Sequence, residues 1–295
     1  MTSWSRRTFI TGLLALGPSL IAPATARSAP DRADCGEALR FGVTPVILDN
    51  QVGFLNRWSS WLSARLGCPV ELVQRTRYQD ILDLLLREQL HLAWICGYPY
   101  VQQQEQLEIL AVPRWHGQPL YRSEIIVAGA SPVQRLEDLR GGLFAWTDPL
   151  SNSGWLYPHF LLHDRGVDPD RFFRRSIFTW GHARSVQAVA DGLVDGAAVD
   201  SYVRETLLLY KPALAQTTRV IERSPWFGFP PIVAGPALAA AHRSAIRSTL
   251  LGQSSDAAGQ ALLADLNLDG FSIEHPQLYV EIAAMAERLQ LRPQP

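Results

Sequence analysis

The feature that most constrains this chain is an alternation of short apolar runs with helical periods, which starts twice. Leu39 to Thr44 reads as a strand stopped by Pro45. Leu55, Trp58, Leu62 and Leu66 then recur at a helical spacing. Val70 to Val73 is a second strand, Tyr78 to Gln89 a second helix, Leu92 to Ile95 a third strand and Leu107 to Val112 another. This βαβαβ order predicts a parallel sheet with helices on its faces. The pattern restarts after Tyr121 to Ala128, with strands at Gly142 to Trp146, Arg174 to Phe178 and Gly196 to Asp200 and helices between them. Pro225, Pro230 and Pro231 then break the chain into an extended segment, and residues 236–290 read as mostly helical.

The expected architecture is therefore a two-lobed α/β binding-protein fold of type II-like form, each lobe a mainly parallel sheet flanked by helices. Lobe 1 takes residues 37–123 and 229–295, and lobe 2 takes 124–228. Two extended crossovers, near Glu124–Ala128 and Gly228–Val233, act as hinges. In such sheets ligands sit beyond the carboxyl ends of strands, and two facing lobes turn those ends into a closable cleft.

The first 26 residues are expected to be an export signal outside the fold. Arg6 and Arg7 precede an apolar run, Phe9 to Ala22, and a small-residue site, Ala24-Thr25-Ala26. That is the grammar of a cleavable twin-arginine signal, and it places the mature chain in the periplasm. The net charge of −1 gives no reason to expect nucleic acid as a partner. Three cysteines meet that oxidising compartment. Cys35 and Cys68 each lie just before an apparent strand. If those strands are parallel neighbours a Cys35–Cys68 disulfide fits, leaving Cys96 as a free thiol.

Four segments carry candidate chemistry. Ser151-Asn152-Ser153-Gly154 follows a strand and opens a helix, where hydroxyls and free amide hydrogens can hold an oxyanion without a lysine or arginine. An ordinary serine cap has the same pattern. His182 links a strand to a helix and can donate an imidazole N–H. Asp200 ends a buried strand, as a ligand acceptor or a helix cap. Cys96 ends another strand, ahead of Tyr98 and Tyr100 in the connecting loop, whose rings supply rigid walls. Signatures of nucleophile elbows, zincins, P-loops and dinucleotide sites are missing, and the cysteines lack metal-ligand spacing.

In this order the four segments resemble the PhnD-like family of periplasmic binding proteins for phosphonate, phosphite and related oxyanions, from Leu39 to about Ala237. The resemblance implies that Ser151, Asn152, Ser153 and Gly154 form the hydroxyl-rich helix start that holds the oxyanion. It puts His182 in the place of a pocket histidine, although Gly181-His182-Ala183 replaces the family's Gly-Ser-His type motif. It gives Asp200 the ligand's far end and puts Tyr98 and Tyr100 in a cleft-facing loop. Cys96-Gly97 replaces the Gly-Pro of phosphonate binders. The stretch Trp94 to Tyr100 is similar to the subgroup that includes the arsenite-binding sensor AioX, in which a cysteine is tied to arsenite sensing. That similarity implies Cys96 as a candidate arsenite ligand. No resident metal and no cofactor are expected. The partner is an ABC permease or a membrane sensor histidine kinase. The expectation is a solute-binding protein and not an enzyme. The alternatives are a secreted cysteine-dependent hydrolase or transferase, and a binder of an organic solute such as a sulfonate.

Overall fold

The computed structural model describes residue 1, residues 37–45 and residues 52–291. Residues 2–26 of the expected export signal and Cys35 lie outside them.

Strands β1 (Leu39–Val43), β2 (Val70–Gln74) and β3 (Leu92–Trp94) run parallel with β1 in the middle. Helices α1 (Val52–Leu66) and α2 (Tyr78–Leu86) make the crossovers. Phe41 of β1 packs at a tilt against Trp58 of α1, which also meets Phe54 and Trp94. The buried donors of this aromatic core are satisfied: Trp58 Nε1 donates to Gln253 Oε1 and Trp94 Nε1 to the Pro230 carbonyl. Truncating a side chain of this size to alanine costs about 3–5 kcal/mol. Gly42 lets α2 approach, because a Cβ there would overlap Leu90 and crowd Ile81. The short helix α3 (Gly97–Gln102) follows β3 and leads to β4 (Glu108–Arg114).

The chain then passes through β5 (Leu120–Tyr121) into a second sheet. This holds β6 (Ser123–Ala128), β7 (Leu143–Trp146), β8 (Arg175–Phe178), β9 (Gly196–Asp200) and β10 (Thr218–Arg223), in the order β10-β6-β9-β7-β8. Its helices are α4 (Tyr157–Asp164), α5 (Pro169–Phe172), α6 (His182–Ala190), α7 (Ser201–Tyr210) and α8 (Pro212–Gln216). A strand's two-residue period is visible in the packing. Ile125, Val127, Phe144 and Trp146 point into one cluster, whereas Ile126 and Ala145 point into the other, so both faces are covered.

The return runs through β11 (Phe227–Gly228) to β12 (Ile232–Ala234), α9 (Ala240–Leu251), α10 (Ala257–Asp265), β13 (Gly270–Ser272) and α11 (Val280–Arg288). The first sheet has the order β13-β4-β12-β3-β1-β2. Each sheet thus keeps a parallel core, β2-β1-β3 and β8-β7-β9, and gains antiparallel strands where the chain re-enters from the other lobe.

The crossings fall at the leading edges of the two expected segments, which themselves lie mostly inside the sheets. Glu124–Ala128 belongs to β6, inside the second sheet, and Ile232–Ala234 is a central strand of the first. The crossing segments are β5 and β11, which pair antiparallel through Phe227↔Tyr121 and Gly228↔Leu120. Two-residue strands are too short to show a period. The segment 236–290 also contributes the edge strand β13. Among the described residues no helix is long and apolar enough to cross a membrane. Cys68 is disulfide-bonded and Cys96 is free and buried.

Candidate functional site

Strands β3, β7 and β9 end toward one place, and the residues just past their carboxyl ends meet there. After β7 comes Thr147-Asp148, then the helix start. Ser151 caps it, its Oγ accepting the Gly154 amide at 2.9 Å. Asn152–Leu156 forms a π-turn that continues into α4. Gly154 is required by close approach: a Cβ there would overlap Thr147. The Ser123 hydroxyl donates to the Ser153 carbonyl at 2.6 Å, pinning this turn to β6.

Cys96 stands at the start of α3, and the first amide of the π-turn, Asn152 N–H, donates to its Sγ at 3.3 Å. Asn152 Nδ2 donates to the Tyr121 hydroxyl at 2.9 Å, and that hydroxyl lies 3.8 Å from Cys96 Sγ. Asp148 makes a second bridge between the lobes. Its Oδ1 accepts the Leu150 amide and its Oδ2 accepts the Tyr78 amide of α2 at 3.1 Å.

His182 follows a turn in which Trp180 is held at φ 59°, a conformation bulky residues rarely adopt. The Asp200 amide donates to His182 Nδ1 at 3.0 Å, so the ring's proton sits on Nε2, 3.4 Å from Ser151 Oγ. The Thr147 hydroxyl backs the same ring at 3.1 Å. Burial pushes the imidazole down to about 3, leaving it neutral near pH 7. Asp200 caps α7, with Oδ1 accepting the Tyr202 and Val203 amides. Burial pushes its carboxyl up to about 7, against those two hydrogen bonds. Burial likewise raises the Cys96 thiol, opposed by the Asn152 and Tyr98 amides and by Tyr121.

Three polar atoms in this cluster are buried with no partner in the protein: Tyr78 OH, Asn152 Oδ1 and Ser153 Oγ. Buried polar groups are nearly always paired, so these atoms stand apart from the satisfied donors and acceptors of the surrounding interior. Burial raises the Tyr78 phenol well above its ordinary value, with the nearby charges of Cys96, Asp148 and Asp200 adding to the shift and the Ser151 hydroxyl opposing it from beyond good hydrogen-bond geometry. Among the described residues no three His, Cys, Asp or Glu side chains come together as metal ligands.

The structure thus gathers Cys96, Ser151, Asn152, Ser153, Gly154, His182 and Asp200. Tyr98 lies beside them, stacked on Trp155 at 6.3 Å, with its hydroxyl accepting from Gln102. Tyr100 is not among them: it packs edge-on against Tyr279. The expected loop here is helix α3, on which residues two apart point to different sides. Sequence reasoning passed over Tyr78, Tyr121, Thr147 and Asp148. An aromatic opening a helix reads as core, and nothing local tells a core tyrosine from one with an unpartnered hydroxyl.

Two α/β lobes joined by a two-stranded hinge, with a closed polar cluster at their strand ends, define a periplasmic-type solute-binding protein. The chain belongs to the family described as "ABC transporter, phosphonate, periplasmic substrate-binding protein", whose model matches residues 41–279. It is 26% identical over 207 residues to the phosphonates-binding periplasmic protein of Escherichia coli, covering 67% of this chain and 60% of that protein. It is 30% identical over 160 residues to the phosphate-import protein PhnD of Mycolicibacterium smegmatis, covering 50% of each. The matches span half to three fifths of those curated relatives. Its fold is that of a Pseudomonas aeruginosa binding-protein component of an ABC phosphonate transporter, at TM-score 0.80 and 24% identity over 86% of each chain. Prochlorococcus marinus PhnD1 in complex with methylphosphonate has TM-score 0.77 at 20% identity, covering 86% of this chain and 98% of that one. The family is one of substrate-binding proteins rather than enzymes.

Proposed function

We infer that this chain captures a small oxoacid in the interlobe cleft and delivers it, in the closed form, to an ABC permease. The observation that carries this reading is the trio of unpartnered polar atoms on Tyr78, Asn152 and Ser153, contributed by the segments of the two lobes that meet beside Cys96. Ser153 Oγ and Tyr78 OH can each donate or accept, and Asn152 Oδ1 only accepts. A ligand that pairs all three carries at least one hydrogen-bond donor, for Asn152 Oδ1, and can meet both hydroxyls with oxygen acceptors, as a partly protonated oxoacid does. The family model and the names of the curated relatives, phosphonates-binding and phosphate-import, support the oxoacid class.

Within that class the site favours a ligand of low charge. It holds a neutral His182, a carboxyl at Asp200 that keeps its proton up to about pH 7, and a protonated thiol. Arsenite, As(OH)3, is uncharged near neutrality and thiol-seeking. Attack by Cys96 Sγ forms one As–S bond, breaks one As–O bond, and sends the thiol proton out with the hydroxyl as water. On this finer reading the closed form addresses a membrane sensor kinase rather than a permease.

Calorimetric titration with phosphate, phosphite, methylphosphonate and arsenite, on wild type and Cys96→Ser, tests both levels. Saturable 1:1 binding of at least one oxoacid, lost when Ser153 and Tyr78 are both truncated, supports the cleft. Binding of none overturns it. A loss of arsenite affinity of at least 100-fold in Cys96→Ser, with other oxoacids little changed, supports the As–S bond. Equal arsenite affinity in both proteins removes it and leaves the broader reading standing.

A further inference from the structure

A second polar cavity lies at the hinge, formed by residues the oxoacid site does not use. Two adjoining hollows of about 250 Å³ and 270 Å³ share Trp115, His116 and Trp226 as walls. The first sheet supplies Trp115 and His116, from the tight turn after β4. Arg122, which follows β5, and Trp226, which precedes β11, come from the hinge, and Arg204 comes from α7 of the second lobe.

Three residues that line this cavity each carry a buried, unpartnered N–H donor: Trp115 Nε1, Arg122 Nε and Arg204 Nε. Trp115 itself is only 4% exposed. Unlike the cleft, where two of the orphans are hydroxyls and the third an acceptor, all three here are N–H donors. They call for acceptors only. The charges are unequal as well. Glu124, buried, takes Arg204 at 3.4 Å and Arg223 at 3.0 Å. Glu205 takes His116 at 2.6 Å. Among the described residues Arg122 has no carboxylate partner. Its guanidinium lies 3.7 Å over the Trp226 ring, which is 48% exposed. One unmatched cation beside two acids suits a single negative charge and disfavours a dianion. The remaining wall is apolar, from the Trp115 and Trp226 indoles with Leu120 and Leu208.

We propose that this cavity is a second binding site, for a small aromatic or otherwise flat monocarboxylate. The carboxylate takes the Arg122 fork and the Trp115 N–H, and the flat body lies along the indoles.

The test is calorimetric titration with 2-naphthoate and, as a neutral isostere, 2-naphthamide, together with ¹H–¹⁵N spectra of the tryptophan indoles, in which Trp115→Phe assigns one signal. The expected result is 1:1 binding of the acid, at least tenfold weaker binding of the amide, and movement of the Trp115 signal with the acid. Arg122→Gln and Trp226→Ala each weaken the acid at least tenfold, whereas Ser153→Ala, in the cleft, leaves it unchanged. Should Arg122→Gln fail to fold, Trp226→Ala, which changes a half-exposed ring, and the Trp115 signal decide. The proposal is overturned if the acid fails to bind at millimolar concentration, if the amide binds as well, if a folded variant of the pair binds unchanged, or if Ser153→Ala abolishes binding.

Discussion

At the scale of single residues, Ser153 separates a binding site from a structural one. Its hydroxyl is buried and unpaired, so the folded protein bears a desolvation cost for it. Ser153→Ala should therefore leave the melting temperature unchanged or raise it, while weakening the stabilising oxoacid about tenfold, near the worth of one hydrogen bond. Scanning fluorimetry beside calorimetry checks both, and a clear fall in melting temperature would make the hydroxyl structural. Asp200 and His182 carry opposed protonation effects. Folded Asp200, at about 7, keeps a proton that the unfolded chain loses above about pH 4, so its contribution falls as pH rises between them. Folded His182, at about 3, lacks a proton that the unfolded chain holds up to about pH 6.5, so its contribution grows as pH rises there. The slopes offset in the wild type over about pH 4 to 6.5. Asp200→Asn, which keeps an acceptor for the α7 amides, should gain stability relative to wild type by about 1.4 kcal/mol per pH unit as pH rises, and His182→Gln should lose as much. Urea titrations at three pH values would show it; variant curves parallel to wild type would refute it. The strand-end positions of Ser151, His182 and Asp200 could be read in advance, but Ser151 and Asp200 also cap the helices that follow them, a use the sequence pattern shares with ligand binding. Tyr78 could not, because its role depends on how two distant segments meet.

At the scale of elements, the π-turn at Asn152–Leu156 is the part on which the site's geometry depends. It is possible because Gly154 leaves room for Thr147, whose hydroxyl also meets His182 and Ser185. Gly154→Ala would push Thr147 out of that network. The expected cost is about 1–3 kcal/mol by overpacking, read as a lower denaturant midpoint, together with weaker oxoacid binding. A variant as stable as wild type would mean that the turn has slack. The long elements could be read in advance because a buried strand or an amphipathic helix repeats its pattern often enough to be counted. β5 and β11 could not, having two residues each; β13 has only three, and β10 is an edge strand whose half-buried polar residues dilute the apolar signal. Helix α3 was hidden by Pro99, which disrupts a helix interior but is tolerated in a first turn.

At the scale of the whole molecule, the two lobes are held closed by contacts of unequal kind. Inside the cleft they are polar: the Tyr78 amide on Asp148 and the Asn152 amide on Cys96. Around it they are aromatic or ionic, with Tyr98 stacked on Trp155, the Arg77 guanidinium 4.8 Å over Trp180, and Arg288 paired with Asp164. Exposed ion pairs contribute little, so among the contacts around the cleft the stacked ones bias the equilibrium most. Arg77 is the informative one, since its partner Trp180 sits in a strained turn two residues before His182. Removing the guanidinium takes away about 0.5–1 kcal/mol from the closed state and nothing from the separated lobes. A ligand that binds only the closed form then loses affinity by the same amount, about two- to fivefold, because it must do more of the closing itself. Arg77→Ala should therefore weaken the stabilising oxoacid by that factor. The ligand-free variant should also scatter X-rays with a larger radius of gyration than ligand-free wild type, the difference vanishing at saturation. Weaker binding with identical ligand-free scattering would place Arg77 at the ligand rather than at the rim, and the assignment of closure to the aromatic contacts would fail.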